Sequence, residues 1–283
     1  MSAHATANSN FNSALNQATF KAQTFSALLG GSAQGVGGQS GVGSFAALLA
    51  GHGTVGNSAL FDPSAAFAMM SRINVSEVDF KAQFAELSAM RTELGAVRSE
   101  AASLLGGINS ASDKTAVKSA LQGFAADYNH WVQRFDADMQ SGGILANTQA
   151  AQVSRFAMEK SVSDIFTGAT DGLHGLRDLG LEIDPTTRLA TVDTARLDAA
   201  LTRNPSGVTA AVSELNAKFA RAADLLNADG NFLRNRLGNL ERVIGYIKTN
   251  KTSLQAEFGP GNAANPSTPV ARALAAYNAS QKI

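Results

Sequence analysis

The sequence predicts a mainly α fold: an elongated antiparallel coiled-coil or helical bundle with one small β-hairpin and flexible N- and C-terminal segments. Apolar residues recur three and four positions apart through several long segments, which is the spacing of a coiled-coil seam. The apolar period drops to two at one place, between residues 173 and 208. The charged fraction of 16% is low, and small residues suit a thin helical assembly better than one thick core.

This pattern divides the chain into three predicted parts. Residues 1–60 form a disordered leader rich in Gly, Ser, Asn and Ala. Residues 61–258 form the helical coiled-coil domain, with the β-hairpin at residues 181–192. Residues 259–283 form a flexible tail, in which Val270, Leu274 and Tyr277 indicate a short amphipathic helix.

Composition argues against several function classes. The net charge is zero, so no overall field attracts nucleic acid or an anionic membrane, and neither is expected as a partner. The chain has no cysteine, which excludes disulfides and thiolate metal sites. No apolar run reaches about 18 residues, so membrane insertion is not predicted.

The N-terminus lacks a basic stretch followed by an apolar stretch, so a cleaved signal peptide is not predicted. Within the leader, residues 24–30 are repeated weakly at residues 44–50, each copy carrying Phe, Leu and Leu at equivalent positions. Two interpretations stay open: the copies are apolar patches in a disordered leader, or they become ordered on joining a partner or an export machine.

The first helical segment is predicted to start at Asp62-Pro63 and to end near Arg72, and Ser76 is predicted to open a longer helix. That longer helix carries a heptad seam. One row of the seam is Phe80, Leu87, Leu94, Ala101 and Ile108, and the companion row is Met90, Val97 and Leu104.

A second helix, capped by Asp113, has the most regular seam in the chain. Its members are Val117, Leu121, Phe124, Tyr128, Trp131 and Phe135. Only residues 109–112 separate it from the first helix, which favours an antiparallel helical hairpin. Trp131 and Tyr128 are interpreted as core residues rather than ligand contacts. A third helix is predicted from Asn147 to Phe166, with Val153, Phe156, Val162 and Ile165 facing inward.

The hairpin is predicted from alternation. Leu181 and Ile183 alternate with polar residues, and Leu189 and Thr191 continue the pattern after a turn containing Pro185. The hairpin motif comprises Leu179, Gly180, Leu181, Ile183 and Leu189. Asp193 or Thr194 is predicted to cap the following helix, and Asn204-Pro205 the next one.

Two further seams follow, separated by a break at Asp229-Gly230. The first comprises Val208, Val212, Leu215, Phe219, Ala222 and Leu226. The second comprises Leu233, Leu237, Leu240, Ile244, Ile247, Lys251, Leu254 and Phe258. Lys251 is the one polar member of the second seam, and a single such residue can fix the register of two helices.

The sequence contains no motif typical of a catalytic or metal-binding site. The four histidines are not spaced as metal ligands, and neither His130 nor His174 is expected to bind a metal or act as a base. No phosphate-binding loop and no nucleophile elbow are present. We therefore predict no catalytic, cofactor or metal site and no enzymatic activity, and we interpret the seams and the hairpin as interaction elements.

The run from Leu176 through Asp193, with Leu197, Leu201, Asn204-Pro205 and Val208, resembles the flagellar filament-capping protein family, also called hook-associated protein 2. That family carries a similar Leu-x-Asp-Leu-Gly-Ile run with a strand, a turn, a strand, a Leu-rich helix and an Asp/Asn-Pro step. Residues 113–132 and 229–258 are similar to the helix that opens the family's C-terminal region and to its final long helix.

The resemblance implies an extracellular component of the bacterial flagellum, exported without a cleaved signal peptide. It would support filament assembly, motility and adhesion through homo-oligomers and contacts with flagellin or hook-junction proteins. Typical members carry large β-rich domains where this chain has residues 109–112, so the resemblance implies a reduced form. The alternative is a cytoplasmic helical adaptor or export chaperone for a flagellar axial protein.

Overall fold

The computed structural model describes residues 63–107, 114–163 and 173–281, and the side chains of residues 104–107 and 163 are not described. The predicted leader therefore lies outside the described residues. So do Ile108, Asp113, Ile165 and Phe166, and the side chain of Leu104.

The fold is mainly α with one β-hairpin, as predicted. The helices in the described residues are α1 (Pro63–Gly107), α2 (Lys114–Met139), α3 (Gln149–Ser163), α4 (Thr194–Arg203), α5 (Pro205–Asn227), α6 (Phe232–Phe258) and α7 (Thr268–Ser280). A 3-10 turn (Leu176–Leu179) leads into the antiparallel strands β1 (Leu181–Ile183) and β2 (Ala190–Val192), which form a two-stranded sheet.

The chain divides into two compact units. The described part of unit one comprises residues 63–77 and 241–265. The described part of unit two comprises residues 78–107, 114–163, 173–240 and 266–281. Each unit is described by itself below.

Helix α1 runs for 45 residues without interruption, so the predicted break between Arg72 and Ser76 is wrong. The prediction took Ser76, with Asp79 three residues later, as a helix start. The intervening residues Ile73, Asn74 and Val75 include neither Gly nor Pro, so nothing in the backbone ends the helix there.

In unit two, α1 and α2 are antiparallel, as the short connection predicted. Arg134 of α2 pairs with Glu86 of α1 (Nη2 to Oε2, 2.6 Å), and His130 of α2 lies 3.1 Å from Glu93 of α1 (Nε2 to Oε1). As the chain advances along α1 from 86 to 93, the partner retreats along α2 from 134 to 130. Two helices so paired run in opposite directions.

The core of unit two is built around aromatic side chains of α2 and α5. The Phe124 and Phe219 rings meet edge to face, with centroids 4.8 Å apart, and the Phe124 and Tyr128 rings are stacked. Helix α5 packs against α2, α3 and α4, and α2 also packs against β2. Burying rings of this size supplies a large part of the hydrophobic stabilisation of a small core.

One predicted core position on α3 is wrong. Phe156 is 66% exposed, whereas Ala151, Ser154 and Met158 are buried. Ser154 reaches the interior because its hydroxyl donates to the carbonyl of Ala150 one turn earlier (2.8 Å), which satisfies the polar group inside the helix. The face of α3 that packs inward is therefore lined by small residues and Met158 rather than by Phe156.

The strand after the turn is offset by one residue from the prediction. Leu181 pairs with Val192 and Ile183 with Ala190, so Ala190 and Val192 share the face of Leu181 and Ile183. Ala190 is buried and Thr191 is exposed, whereas Leu189 precedes the strand and is half-buried. The prediction continued the alternation of Leu181 and Ile183 through Leu189 and Thr191. This assignment is wrong because Ala190 and Val192 lie opposite Ile183 and Leu181, and a one-residue offset exchanges the two faces of a strand.

The last helix, α7, lies in the segment where an amphipathic helix was predicted. Its Tyr277 meets the Phe84 ring of α1 edge to face at 5.7 Å, and Lys81 Nζ lies 5.8 Å from the Tyr277 ring centroid. Ala273 is the buried residue of the helix, and Val270 and Leu274 are half-buried. Helix α7 is thus attached to α1 within unit two.

Unit one joins the first turns of α1 to the end of α6. Lys251 Nζ lies 2.7 Å from Glu77 Oε2, so the polar member of the predicted seam is half of a cross-helix ion pair. After α6 ends, the Asn74 amide donates to the carbonyls of Pro260 (3.0 Å) and Asn262 (2.9 Å). Gly261 has a φ of 63°, and a Cβ there would lie 2.5 Å from the backbone nitrogen of Ser71. Glycine is therefore required where this segment crosses α1.

Candidate interaction site

Strand β2 of the hairpin is held on α2 by two hydrogen bonds to the side chain of Asn129. Asn129 donates from Nδ2 to the carbonyl of Ala190 (2.8 Å) and accepts at Oδ1 from the Ala190 N–H (2.6 Å). The amide thus occupies both hydrogen-bonding groups of Ala190 as a neighbouring strand would. A two-stranded ribbon is marginal in water, so this attachment to a helix fixes the position of β2.

The turn of the hairpin is attached through Arg188. Its guanidinium forms ion pairs with Asp136 of α2 and with Glu159 of α3 (Nη1 to Oε1, 2.9 Å). Arg188 has a φ of 58°, a left-handed conformation that non-glycine residues rarely adopt. The hydrogen bond from the Arg188 N–H to the Asp184 carbonyl (2.7 Å) closes the turn in this conformation.

Asp184 organises the first half of the same turn. Its Oδ1 accepts from the backbone N–H groups of Thr186 (2.8 Å) and Thr187 (2.6 Å). These hydrogen bonds, with that of Thr187 the largest cause, lower the pKa of Asp184, because they favour the ionised carboxylate. The predicted turn at Pro185 is therefore an Asx-type turn with Asp184 as its acceptor.

Gly180 sets the entry to β1. Its φ is 76°, and a Cβ there would lie 2.5 Å from the Asp193 carbonyl oxygen. The Asp193 N–H donates to the Gly180 carbonyl (2.7 Å), so the residues before β1 and after β2 are joined directly. The glycine in the Leu-Gly motif is thus required by its conformation and by the close approach of a second backbone.

The helices that follow begin at the predicted caps. Asp193 Oδ1 accepts from the Arg196 N–H (3.0 Å) and Asn204 Oδ1 accepts from the Gly207 N–H (2.9 Å). Pro205 occupies the first turn of α5, where no donor is needed. Lys118 of α2 also pairs with Asp198 of α4 (2.9 Å), which connects α4 to the same helix that carries Asn129.

The α1–α2 contact concentrates carboxylates. The pKa of Asp127 is raised to about 6, and burial of the carboxyl group is the largest cause. The negative charges of Glu100 and Glu93 on α1 raise this pKa further. His130 on the same helix opposes the shift. Burial also raises the pKa of Glu86, although its hydrogen bond to Arg134 acts in the opposite direction.

The predicted seam residues lie mostly in the interior of the chain. Those on α1 and α2 that are buried are Leu87, Met90, Leu94, Val97, Ala101, Val117, Leu121, Phe124, Tyr128, Trp131 and Phe135. Those on α6 that are buried are Leu233, Leu237, Leu240, Ile244, Ile247, Leu254 and Phe258. Of the hairpin motif, Leu179, Gly180 and Leu181 are buried, and Ile183 and Leu189 are half-buried.

The sequence did not single out Asn129 or Arg188 as structural residues. Both are polar residues in or beside apolar patterns, and their partners lie 61 and 29 residues away, at Ala190 and Glu159. No local pattern indicated the Asn129 contact.

Large apolar side chains remain exposed on several helices. In unit two these are Phe156 on α3, Leu225 near the end of α5 and Phe232 at the start of α6. In unit one, Phe67 and Val75 of α1 are exposed. Single apolar side chains are common on protein surfaces, and a contiguous apolar patch is the feature that marks a contact with another protein.

No group of three or more histidines or carboxylates in the described residues is placed to hold a metal ion. None of the described helices combines the length and the hydrophobicity needed to cross a bilayer. The described site thus consists of the hydrogen bonds and ion pairs that attach the hairpin and α4 to α2 and α3. Charged and apolar side chains are exposed on the surface around these contacts.

The family model "Flagellar hook-associated protein 2 C-terminus" matches residues 107–259, more than half of the chain. This range includes α2, the hairpin with Asn129, Gly180 and Arg188, and the whole of α6. No curated protein and no solved structure matched. Since the match covers the hairpin and the helices that hold it, the chain belongs to the flagellar hook-associated protein 2 family, whose members are structural components of the flagellum.

Proposed function

We propose that this protein is an axial component of the flagellum that supports filament assembly and motility by associating with its own copies and with flagellin or hook-junction subunits. The observation that carries the proposal is the family match over residues 107–259, which includes the hairpin and its attachment to α2. The proposal places the protein outside the cell, exported without a cleaved signal peptide, and assigns it no enzymatic activity.

The described structure supports an assembly role that uses the outer faces of the helices. The seam residues are buried within the single chain, so an intersubunit contact must use other side chains. Phe156, Leu225 and Phe232 are exposed apolar groups in unit two that could be covered by a neighbouring subunit. Because α1 is followed after a short connection by α2, the proposed protein acts without large outer domains between these helices.

Localisation tests the proposal most directly. The protein should appear in the culture medium or on filaments of the native bacterium when the flagellar export apparatus is intact, and remain inside when it is inactivated. A deletion should reduce swimming and shorten or remove filaments. A protein that stays in the cytoplasm bound to one unexported flagellar protein, in cells with a working export apparatus, would support the adaptor alternative instead.

The proposed contact surface can be tested separately with purified protein. Light scattering at rising concentration should show association, and Phe156→Ser should weaken it without lowering the melting temperature, because this ring is outside the core. Gln133→Ser, at an exposed position of α2, serves as the matched control. A monomer at every concentration, from a protein whose deletion leaves motility unchanged, would contradict the proposal.

A further inference from the structure

Beside the hairpin, unit two contains a cleft of about 620 Å³ that the proposed assembly role does not use. It lies between the 3-10 turn and α4, and it is lined by Leu173, Arg177, Asp178, Arg196, Ala200, Arg203 and Asn204. Three of these seven residues are arginines, in a chain whose net charge is zero. The cleft is therefore a local concentration of guanidinium groups.

The carboxylates near this cleft do not fully engage those arginines. Glu182 Oε1 lies 3.6 Å from Arg177 Nε and 3.4 Å from Arg196 Nη1, beyond the usual length of a charge-assisted hydrogen bond. Asp178 Oδ2 accepts instead from the backbone N–H groups of His174 (2.9 Å) and Gly175 (3.2 Å). Arg203 forms no ion pair with any residue in the described part of the chain.

From this arrangement we infer that the cleft binds an acidic segment of another protein, placing a carboxylate between Arg203 and the Arg177–Arg196 pair with an apolar side chain against Leu173 and Ala200. Guanidinium groups bind carboxylates through two parallel hydrogen bonds, and this geometry requires partners that are not already saturated. Leu173 is buried at the cleft and supplies an apolar wall. The inference does not depend on the proposed flagellar role.

A protein carboxylate fits this cleft better than a polyanion does. Glu182 and Asp178 lie among the arginines and would repel a continuous run of phosphates, whereas they tolerate one or two carboxylates placed between them. Glu182 already holds a position between two of the arginines, so an incoming carboxylate competes with it. Removing the Glu182 charge should therefore strengthen binding.

The probe is a fluorescein-labelled peptide of alternating Glu and Leu, titrated with the full chain and followed by fluorescence anisotropy at low salt. We expect Arg203→Glu and Arg177→Glu to weaken binding at least tenfold and Glu182→Gln to tighten it several-fold. Arg272→Glu, which changes an exposed arginine of α7 outside the cleft, should bind as the parent protein does. Melting curves verify that each variant is folded, and if one arginine variant unfolds, the other and Glu182→Gln still decide the result.

Four results would overturn the inference. The first is a peptide with Gln in place of Glu that binds equally well, and the second is equal weakening by Arg203→Glu and Arg272→Glu. The third is competition by tripolyphosphate or single-stranded DNA at the same concentrations as the Glu peptide, which would assign the cleft to general anions. The fourth is an Asp171→Asn variant that tightens binding as much as Glu182→Gln does, which would assign the cleft to the chain's own preceding segment.

Discussion

Asn129 and Ala190 exchange two hydrogen bonds, so one helix side chain completes the outer edge of a two-stranded sheet. The amide must present its nitrogen to a carbonyl and its oxygen to an N–H, and no other side chain of the same length does both. This contact, rather than the strand pairing alone, determines where the hairpin lies on α2.

Replacing Asn129 should therefore loosen the hairpin. Asn129→Ala removes both hydrogen bonds to Ala190 and is expected to lower the free energy of unfolding by about 1–3 kcal/mol. Asn129→Asp keeps the acceptor for the Ala190 N–H but places an oxygen against its carbonyl, so it should also destabilise. Denaturant unfolding measures the loss, and amide exchange at Ala190 should accelerate. Gln133→Ala, at an exposed position of the same helix, should change stability by less than about 0.5 kcal/mol.

Gly180→Ala tests the backbone requirement at the hairpin entry. The left-handed φ costs an alanine roughly 1–2 kcal/mol, and the close approach of the Asp193 carbonyl adds a clash. Gly175→Ala is the matched control, since its φ of −156° is ordinary extended backbone and no atom lies within 4 Å of its Cβ position. Thermal unfolding should separate the two variants by several degrees, and equal melting temperatures would contradict the assignment.

Asp127 should make stability depend on pH in a defined direction. Its pKa is about 6 in the folded chain and 3.8 in the reference state, so the folded state holds the proton more tightly. The associated stabilisation is complete below about pH 3.8, is lost as the pH rises towards 6, and is absent above that.

The variant Asp127→Asn isolates this effect. The stability of the variant minus that of the parent protein should increase between about pH 4 and pH 6 and then level off. Melting temperatures measured from pH 3 to pH 8 test this, with Glu241→Gln, an exposed carboxylate, as the control. A difference that stays constant across the range would show that the folded chain does not raise the pKa of Asp127.

The Lys251–Glu77 pair should fix the position of two helices in unit one. Lys251→Leu leaves the mostly buried Glu77 carboxylate without this ammonium group, and we expect a loss of about 1–3 kcal/mol. The double variant Lys251→Leu/Glu77→Leu should recover much of that loss, because both charges are then removed. Lys248→Leu, at an exposed position of α6, is the control. If the losses of Lys251→Leu and Glu77→Leu measured singly add up to the loss of the double variant, the pair has no coupling.

Local pattern was sufficient to predict the seam of α2 and the caps of α4 and α5. Phe124, Tyr128 and Trp131 recur at seam spacing, and the structure buries all three. Asp193 and Asn204 were identified as caps because a side-chain oxygen before a helix binds an N–H within the next turn, which involves only neighbouring residues. These features depend on interactions that are close in sequence.

Features that depend on distant partners could not be predicted. Phe156 fits an apolar period but lies outside, because Ser154 and Ala151 permit closer packing on the opposite face of α3. The faces of β2 depend on its register with β1, and an alternating pattern that includes a threonine does not determine that register. The Asn129 contact joins residues 61 positions apart, so neither partner reveals the other.

The ties between Ser71, Asn74 and Glu77 and residues 251–262 span 174 to 191 positions in the sequence. Nearly the entire intervening polypeptide must leave the ribosome before these groups can meet, and closing so long a loop is entropically unfavourable until its neighbours are in place. During synthesis, therefore, the early turns of α1 cannot form these contacts until residues 251–262 have been made. Unit one cannot be completed before residues 241–265 have been synthesised, and a nascent polypeptide stopped before residue 251 would leave Ser71, Asn74 and Glu77 without these partners.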